Sequence, residues 1–257
     1  MARVAHWPAA AVLHCGMEAQ SSLAPTLAGG MILVALPTLA VLAAVIDWIG
    51  VGARRPWLEY AGKPLTMVFL IAWLIFGAGA GTAFALPTVW VLAALLFSLM
   101  GDILLMLPAG SFVAGLVLFL LAHLSYTAAF SWDRGHLVPG EWLVAAAIAI
   151  LLALLLPPVR SGLRRSGRPR LVVPVAIYAV VLGGMLWASV GTLLHSSWLA
   201  AGGAWIAFGG VAFFASDVSL VWDRFVAPLP GRRVTTHVLY HIAQLALTGG
   251  VLAALWS

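Results

Sequence analysis

Eight long apolar runs, separated by short polar connections, set the pattern of this chain. They lie near residues 29–49, 64–80, 86–107, 112–130, 139–157, 171–193, 198–222 and 234–256. Each approaches the ~20 residues that cross a bilayer at 1.5 Å per residue. The runs are continuous rather than alternating, which favours helices over barrel strands. The expected architecture is all-α: a polytopic membrane bundle of eight transmembrane helices. The second segment has the least distinct end, because Gly77-Ala78-Gly79-Ala80-Gly81 blurs it. Residues 1–28 read as an N-terminal tail of open status, and 29–257 as a single eight-helix domain. The apolar run Ala9–Leu13 is too short for a signal peptide and stops at His14-Cys15, so Met17 and Met31 stand as alternative starts.

Composition agrees with the pattern. The chain is 63% hydrophobic and 8% charged, with a mean hydropathy of +1.09, whereas soluble domains carry about 25% charged residues. The net charge of +5 therefore points to loops facing anionic lipid, not to nucleic acid. Of the 13 basic residues, 11 fall in the connections after the first, third, fifth and seventh helices: Arg54, Arg55, Lys63, Arg160, Arg164, Arg165, Arg168, Arg170, Arg224, Arg232 and Arg233. Only Arg3 and Arg134 lie on the other side. The positive-inside rule places the basic loops in the cytoplasm and both termini outside it. The expected location is a bacterial inner (plasma) membrane. Cys15 is the single cysteine and forms no internal disulfide. The 12 tryptophans suit interfacial belts and packing.

Against this apolar background a few polar residues stand out. Asp102 sits in the third segment, where a charged side chain costs roughly 2.5–3.5 kcal/mol at mid-helix and is functional by default. Asp217 repeats it in the seventh. His123-x-x-Tyr126 follows Asp102 at +21 and +24, and His237-x-x-Tyr240 follows Asp217 at +20 and +23. An offset of about 115 residues covers four helices, an even number, which predicts two parallel four-helix halves. Both carboxylates would then share one depth near the cytoplasmic side, each the other's partner. In the eighth helix His237, Tyr240, His241, Gln244 and Thr248 fall on one face, which must look toward protein or water. Gly203 and Gly210 form a flat strip, suited either to close helix packing or to a thin acyl chain. Asp47, Asp133, Asp223 and Glu141 lie near segment ends and read as solvated.

Taken in order, several residues resemble the YhhN-like family, which includes the lysoplasmalogenases. They are Lys63-Pro64 opening the second helix, Gly101-Asp102, His123-x-x-Tyr126, Tyr178, Ser216-Asp217 and Tyr240-x-x-Ala243-Gln244. The resemblance covers roughly 31–256, and His241 departs from it where a second Tyr is common. It implies an eight-helix membrane hydrolase without a cofactor. Such an enzyme splits the vinyl-ether bond of a lysophospholipid (a lysoplasmalogen) to a fatty aldehyde and a glycerophospho-alcohol. Asp102 and Asp217 match the family's catalytic carboxylates.

Vinyl-ether hydrolysis needs one acid to protonate carbon and one carboxylate to activate water. Two carboxylates in unlike surroundings supply both. Asp102 is the first choice as acid and Asp217 as base, with the swap close behind. Lys63, at the mouth, suits a lipid phosphate. His123, Tyr126, Tyr178, His237, Tyr240, His241 and Gln244 complete the candidate substrate site, lodged among membrane lipids. Two rivals remain at this level. Parallel halves with buried acids also suit a lipid or small-molecule transporter or binding protein. The i, i+4 spacing of His237 and His241 also suits a metal-dependent membrane hydrolase, although Val238 stands where the HExxH motif has Glu. Gly-x-Ser-x-Gly is absent.

Overall fold

The computed structural model describes residues 9–82, 85–107, 112–132, 134–195 and 202–256, with side chains from residue 29 onward except those of 80–82. Asp133 and Arg3 fall outside the described residues. Among the described residues eight α-helices follow one another: α1 (Ala9–Gly52), α2 (Pro56–Thr82), α3 (Leu86–Met106), α4 (Phe112–Ser131), α5 (Pro139–Arg165), α6 (Val172–Gly191), α7 (Gly203–Phe225) and α8 (Arg233–Trp256). All eight are long and apolar enough to cross a membrane, and no strand occurs among the described residues.

Three boundaries differ from the hydropathy pattern, each for a local reason. α1 extends back to Ala9, into the stretch expected to be a tail. α2 starts at Pro56, where a proline costs nothing because the first-turn N–H has no helical partner. Lys63 therefore lies inside α2 with Pro64 after it, instead of opening the helix. α5 continues through Pro157-Pro158 to Arg165 and ends in a Schellman turn. There Gly167, at φ 73°, lets Arg168 N–H reach Leu163 O at 2.9 Å and Gly167 N–H reach Arg164 O at 3.1 Å.

Helices α2, α3, α4, α6, α7 and α8 pack in a closed ring in that order, with α1 against α2 and α8 and α5 against α6 and α7. The pairings of one half largely repeat in the other, as two parallel four-helix halves require. α7 and α8 are the most enclosed helices, and α1 and α5 are the least. The core of the ring is aromatic. Phe213 stands edge-on to His123, Tyr126, Tyr240 and Phe119, at centroid distances of 4.8, 6.2, 5.5 and 6.5 Å.

Two glycines allow close crossings. A Cβ on Gly62 would sit 2.6 Å from the backbone N of Asp47, so α1 and α2 touch backbone to backbone there. A Cβ on Gly210 would lie 1.8 Å from Ser189 Oγ on α6. Gly203 lends its carbonyl to Thr192 Oγ1 at 3.1 Å. The glycine strip of α7 thus serves helix packing and leaves no room for an acyl chain.

At the end away from the basic loops, Arg134 and Glu141 form a buried latch. Arg134 Nη1 donates to Glu141 Oε1 at 2.8 Å, and Nη2 donates to the carbonyls of Ala188 and Phe130 at 2.7 and 3.2 Å. Trp187 lies under the guanidinium at 4.3 Å, and His195 Nε2 is 3.3 Å from Glu141. Burial pushes the guanidinium below its ordinary value, and Glu141 opposes that shift. Glu141 is therefore not solvated: it supplies the countercharge for a cation that closes the carbonyl ends of α4 and α6. Removing one partner of a buried pair strands the other. Glu141→Ala should lower stability by about 3 kcal/mol, read as an earlier unfolding midpoint of the detergent-solubilised protein.

Candidate active site

At the basic end the ring opens into a cavity of about 420 Å³. Its rim carries Glu59, Lys63, Arg224 and Arg233, and its apolar wall carries Leu105, Leu116, Phe119 and Leu220. Tyr178, Asp217, His237 and Tyr240 also line it. An apolar slot between α5, α6 and α7 reaches the same Tyr178 and Asp217 from the other side.

The two aspartates occupy separate hydrogen-bonded groups. Asp102 is fully buried and does not line the cavity. Lys63 Nζ lies 2.9 Å from its Oδ1, as an ion-pair contact more than an aligned hydrogen bond. Tyr240 Oη donates to its Oδ2 at 2.6 Å, with Met67 Sδ 3.3 Å away. Lys63 Nζ also sits 5.1 Å from the Tyr240 ring centroid. Asp217 does line the cavity. Tyr178 Oη donates to its Oδ2 at 2.5 Å, and His123 Nε2 lies 3.0 Å from the same oxygen and 2.9 Å from Tyr178 Oη. The direct partner of Asp102 is therefore Lys63 and not Asp217.

A pseudo-symmetry relates the groups. Lys63 and Tyr178 stand 115 residues apart, the offset that separates Asp102 from Asp217. Each Asp takes one partner from the second helix of its own half and one from the fourth helix of the other. At equivalent places one carboxylate meets a cation and the other a phenol.

The remaining candidates divide by depth. His237 faces the cavity. Tyr126 Oη donates to Gln244 Oε1 at 2.5 Å, and neither residue lines the cavity. Gln244 lies seven residues along α8 from His237, about 10 Å deeper at 1.5 Å per residue. The polar stripe of α8 faces inward throughout, but the cavity reaches no deeper along it than Tyr240. His241 also turns away from the cavity: Trp48 Nε1 donates to its Nδ1 at 3.0 Å. His123 touches Asp217 from behind. Tyr126, His241 and Gln244 thus bond to residues of other helices and lie outside the cavity lining.

Sequence reasoning missed three contributors. Arg224 and Arg233 look like topology signals but point into the mouth; Arg224 stacks 4.2 Å from the Phe112 ring, and Arg233 pairs with Glu59. Asp47, expected to be solvated, is fully buried and lies 2.7 Å from His237 Nδ1. The signal was present in hindsight, since Asp47 is five residues before the end of α1, as Asp102 is close to the end of α3. Asp223 does stay near the surface, accepting from Leu229 N–H at 3.0 Å. Among the described residues no set of three His, Cys, Asp or Glu side chains converges as metal ligands.

Residues 58–251 match the sequence profile of the YhhN family. The chain is 36% identical over 156 residues to the human protein named lysoplasmalogenase TMEM86B, covering 60% of each chain. It is 33% identical over 187 residues to its rat counterpart, covering 72% of this chain and 69% of that one. Against the Mycobacterium tuberculosis protein named lysoplasmalogenase it is 32% identical over 168 residues, covering 63% and 59%. The matched region thus spans about three fifths of the human and mycobacterial relatives. No solved structure matches the chain.

Lys63→Met should strand Asp102 without a cation and cost about 3 kcal/mol of stability. Adding Asp102→Asn should recover part of that loss, because the two effects share one contact. Denaturant unfolding of the single and double variants in detergent measures both.

Proposed function

The chain belongs to the YhhN family, and from that premise we propose that it is a membrane hydrolase of lysoplasmalogens. It cleaves their vinyl-ether bond to a fatty aldehyde and a glycerophospho-alcohol. The observation that carries this reading is the cavity itself. One small space brings together a cationic rim, an apolar wall and a carboxylate held by Tyr178 and His123. A lysolipid has the same three parts: phosphate, hydrocarbon and a bond that acid splits.

In this reading Lys63, Arg224 and Arg233 receive the phosphate, Lys63 as a point charge and the arginines as forks. The hydrocarbon runs along the apolar wall toward the slot between α5, α6 and α7. The vinyl ether then lies beside Asp217. Asp217 delivers a proton to the β-carbon, and the resulting oxocarbenium ion takes up water. The hemiacetal collapses to aldehyde and alcohol.

The proposal reverses the order of roles first expected from the sequence. Asp217 is the better acid because it touches the cavity and its partners are a phenol and an imidazole. Asp102 is committed to the Lys63 ammonium. It holds Lys63 and Tyr240 in place and acts through them. Tyr178 and His123 orient Asp217. The basic loops around the mouth support an inner-membrane enzyme opening to the cytoplasm, with both termini on the far side.

The test is aldehyde release from choline and ethanolamine lysoplasmalogens by the purified protein in detergent. Wild type should release aldehyde without an ion gradient, which separates hydrolysis from transport. Asp217→Asn should lower kcat at least ~100-fold, the lower bound for a positioned proton donor, while remaining folded. Arg224→Ala and Arg233→Ala should raise KM several-fold and leave kcat within about 3-fold, as loss of uniform binding predicts. Folded wild type that releases no aldehyde would remove this substrate class.

A further inference from the structure

Hydrolysis needs a second proton transfer. As water adds to the oxocarbenium carbon, a group opposite the acid must take its proton. Asp102 is spent on Lys63 and Tyr240 and Glu59 on Arg233, which leaves His237 among the groups that line the cavity. Its Nδ1 lies 2.7 Å from Asp47 Oδ2, Asp47 is fully buried, and the imidazole lines the cavity. A carboxylate that accepts from Nδ1–H leaves Nε2 as the free lone pair, the tautomer a general base needs.

The hairpin of α7 and α8 aligns this base with the acid. Ser216 Oγ donates to the carbonyl of Thr236 at 2.9 Å, and Ser219 Oγ lies 2.8 Å from Thr236 Oγ1. The residues that follow Ser216 and Thr236 are Asp217 and His237. Two serine contacts therefore set the register that puts both side chains on one cavity. The arrangement is one-sided. The equivalent end of α5 carries Gly162 and Leu163, packed on Phe225, and no carboxylate. Asp47 also lies outside the residues matched by the family profile, while His237 lies within them.

We infer that His237 is the catalytic base that activates water and that Asp47 is its positioning residue. The inference rests on the hydrolase reading above. The step balances. Asp217 gives its proton to the β-carbon. Water bonds to the oxocarbenium carbon and gives a proton to His237 Nε2. When the hemiacetal C–O bond breaks, the imidazolium protonates the departing glycerol oxygen. The hemiacetal hydroxyl returns its proton to Asp217 as the aldehyde forms.

A double-mutant cycle on aldehyde release tests this, with Asp47→Asn, His237→Gln and the pair together. Asp47→Asn should lower kcat about 10- to 100-fold, below the ceiling for general-base catalysis, with KM unchanged. In the His237→Gln background it should change nothing further. Trp48→Phe removes the neighbouring α1–α8 contact and should leave kcat near wild type. An Asp47→Asn loss that is equal in both backgrounds, appears in KM alone or is matched by Trp48→Phe would make Asp47 a structural tie and overturn the inference. Should Asp47→Asn not fold, nitrogen-15 spectra of histidine-labelled wild type decide. A proton on His237 Nδ1 with Nε2 bare supports the inference, and the reverse tautomer overturns it. Failure of the hydrolase reading is distinguishable, because it shows in wild type as no aldehyde at all and takes this inference with it.

Discussion

A carboxylate inside an apolar bundle must find its partner elsewhere in the fold or be expelled. Water is absent, and an unpaired charge there costs several kcal/mol. The five buried carboxylates of the described residues all meet that demand. Asp102 takes Lys63 and Tyr240, Asp217 takes His123 and Tyr178, Asp47 takes His237, Glu59 takes Arg233, and Glu141 takes Arg134. All but the last lie toward the basic end. These contacts bind α2 to α3 and α8, α7 to α4 and α6, and α1 to α8. The bundle's polar contacts and its candidate chemistry therefore occupy the same place.

The exchange of partners between halves follows from that demand. A repeat whose Asp satisfied itself within one half would lose polar contacts between the halves and lean more on van der Waals packing, a weak force where lipid is as apolar as leucine. Here the fourth helix of each half supplies a partner to the other half's carboxylate. The exchange is symmetric in position but not in chemistry. Lys63 and Tyr178 occupy equivalent sites, one cationic and one neutral. That difference leaves two related carboxylates in unlike surroundings, one beside a cation and one beside a phenol.

The cavity's mixed character has an equally local origin. The helices α2, α3, α4, α7 and α8 all end or begin near it, so loop arginines can fold over the mouth while leucine and phenylalanine stay below. A membrane enzyme with this shape can receive a lipid without removing its chain from an apolar setting. In the proposed reading only the phosphate needs new partners, and Lys63, Arg224 and Arg233 line the mouth.

Hydropathy alone determined the eight helices, because every backbone polar group in a bilayer must be satisfied within its own segment. The prominence of Asp102 and Asp217 was equally legible, since carboxylates in such segments are rare and costly. So was the repeat, carried by Asp and His-x-x-Tyr at matching spacings. Which side chain meets which was not legible. Pairing depends on how far each helix turns and how deep each residue sits, and one-dimensional spacing contains neither. Tyr126, His241 and Gln244 share a stripe or motif with cavity residues yet lie deeper or turned aside. Arg233 shares its composition with loop signals yet leans inward onto Glu59. Asp47 looked like a solvated helix end until Gly62 let α1 close on α2, and α8 brought His237 to it. The tertiary structure alone decided these matters, because a partner on another helix is set by packing and not by neighbours in the chain.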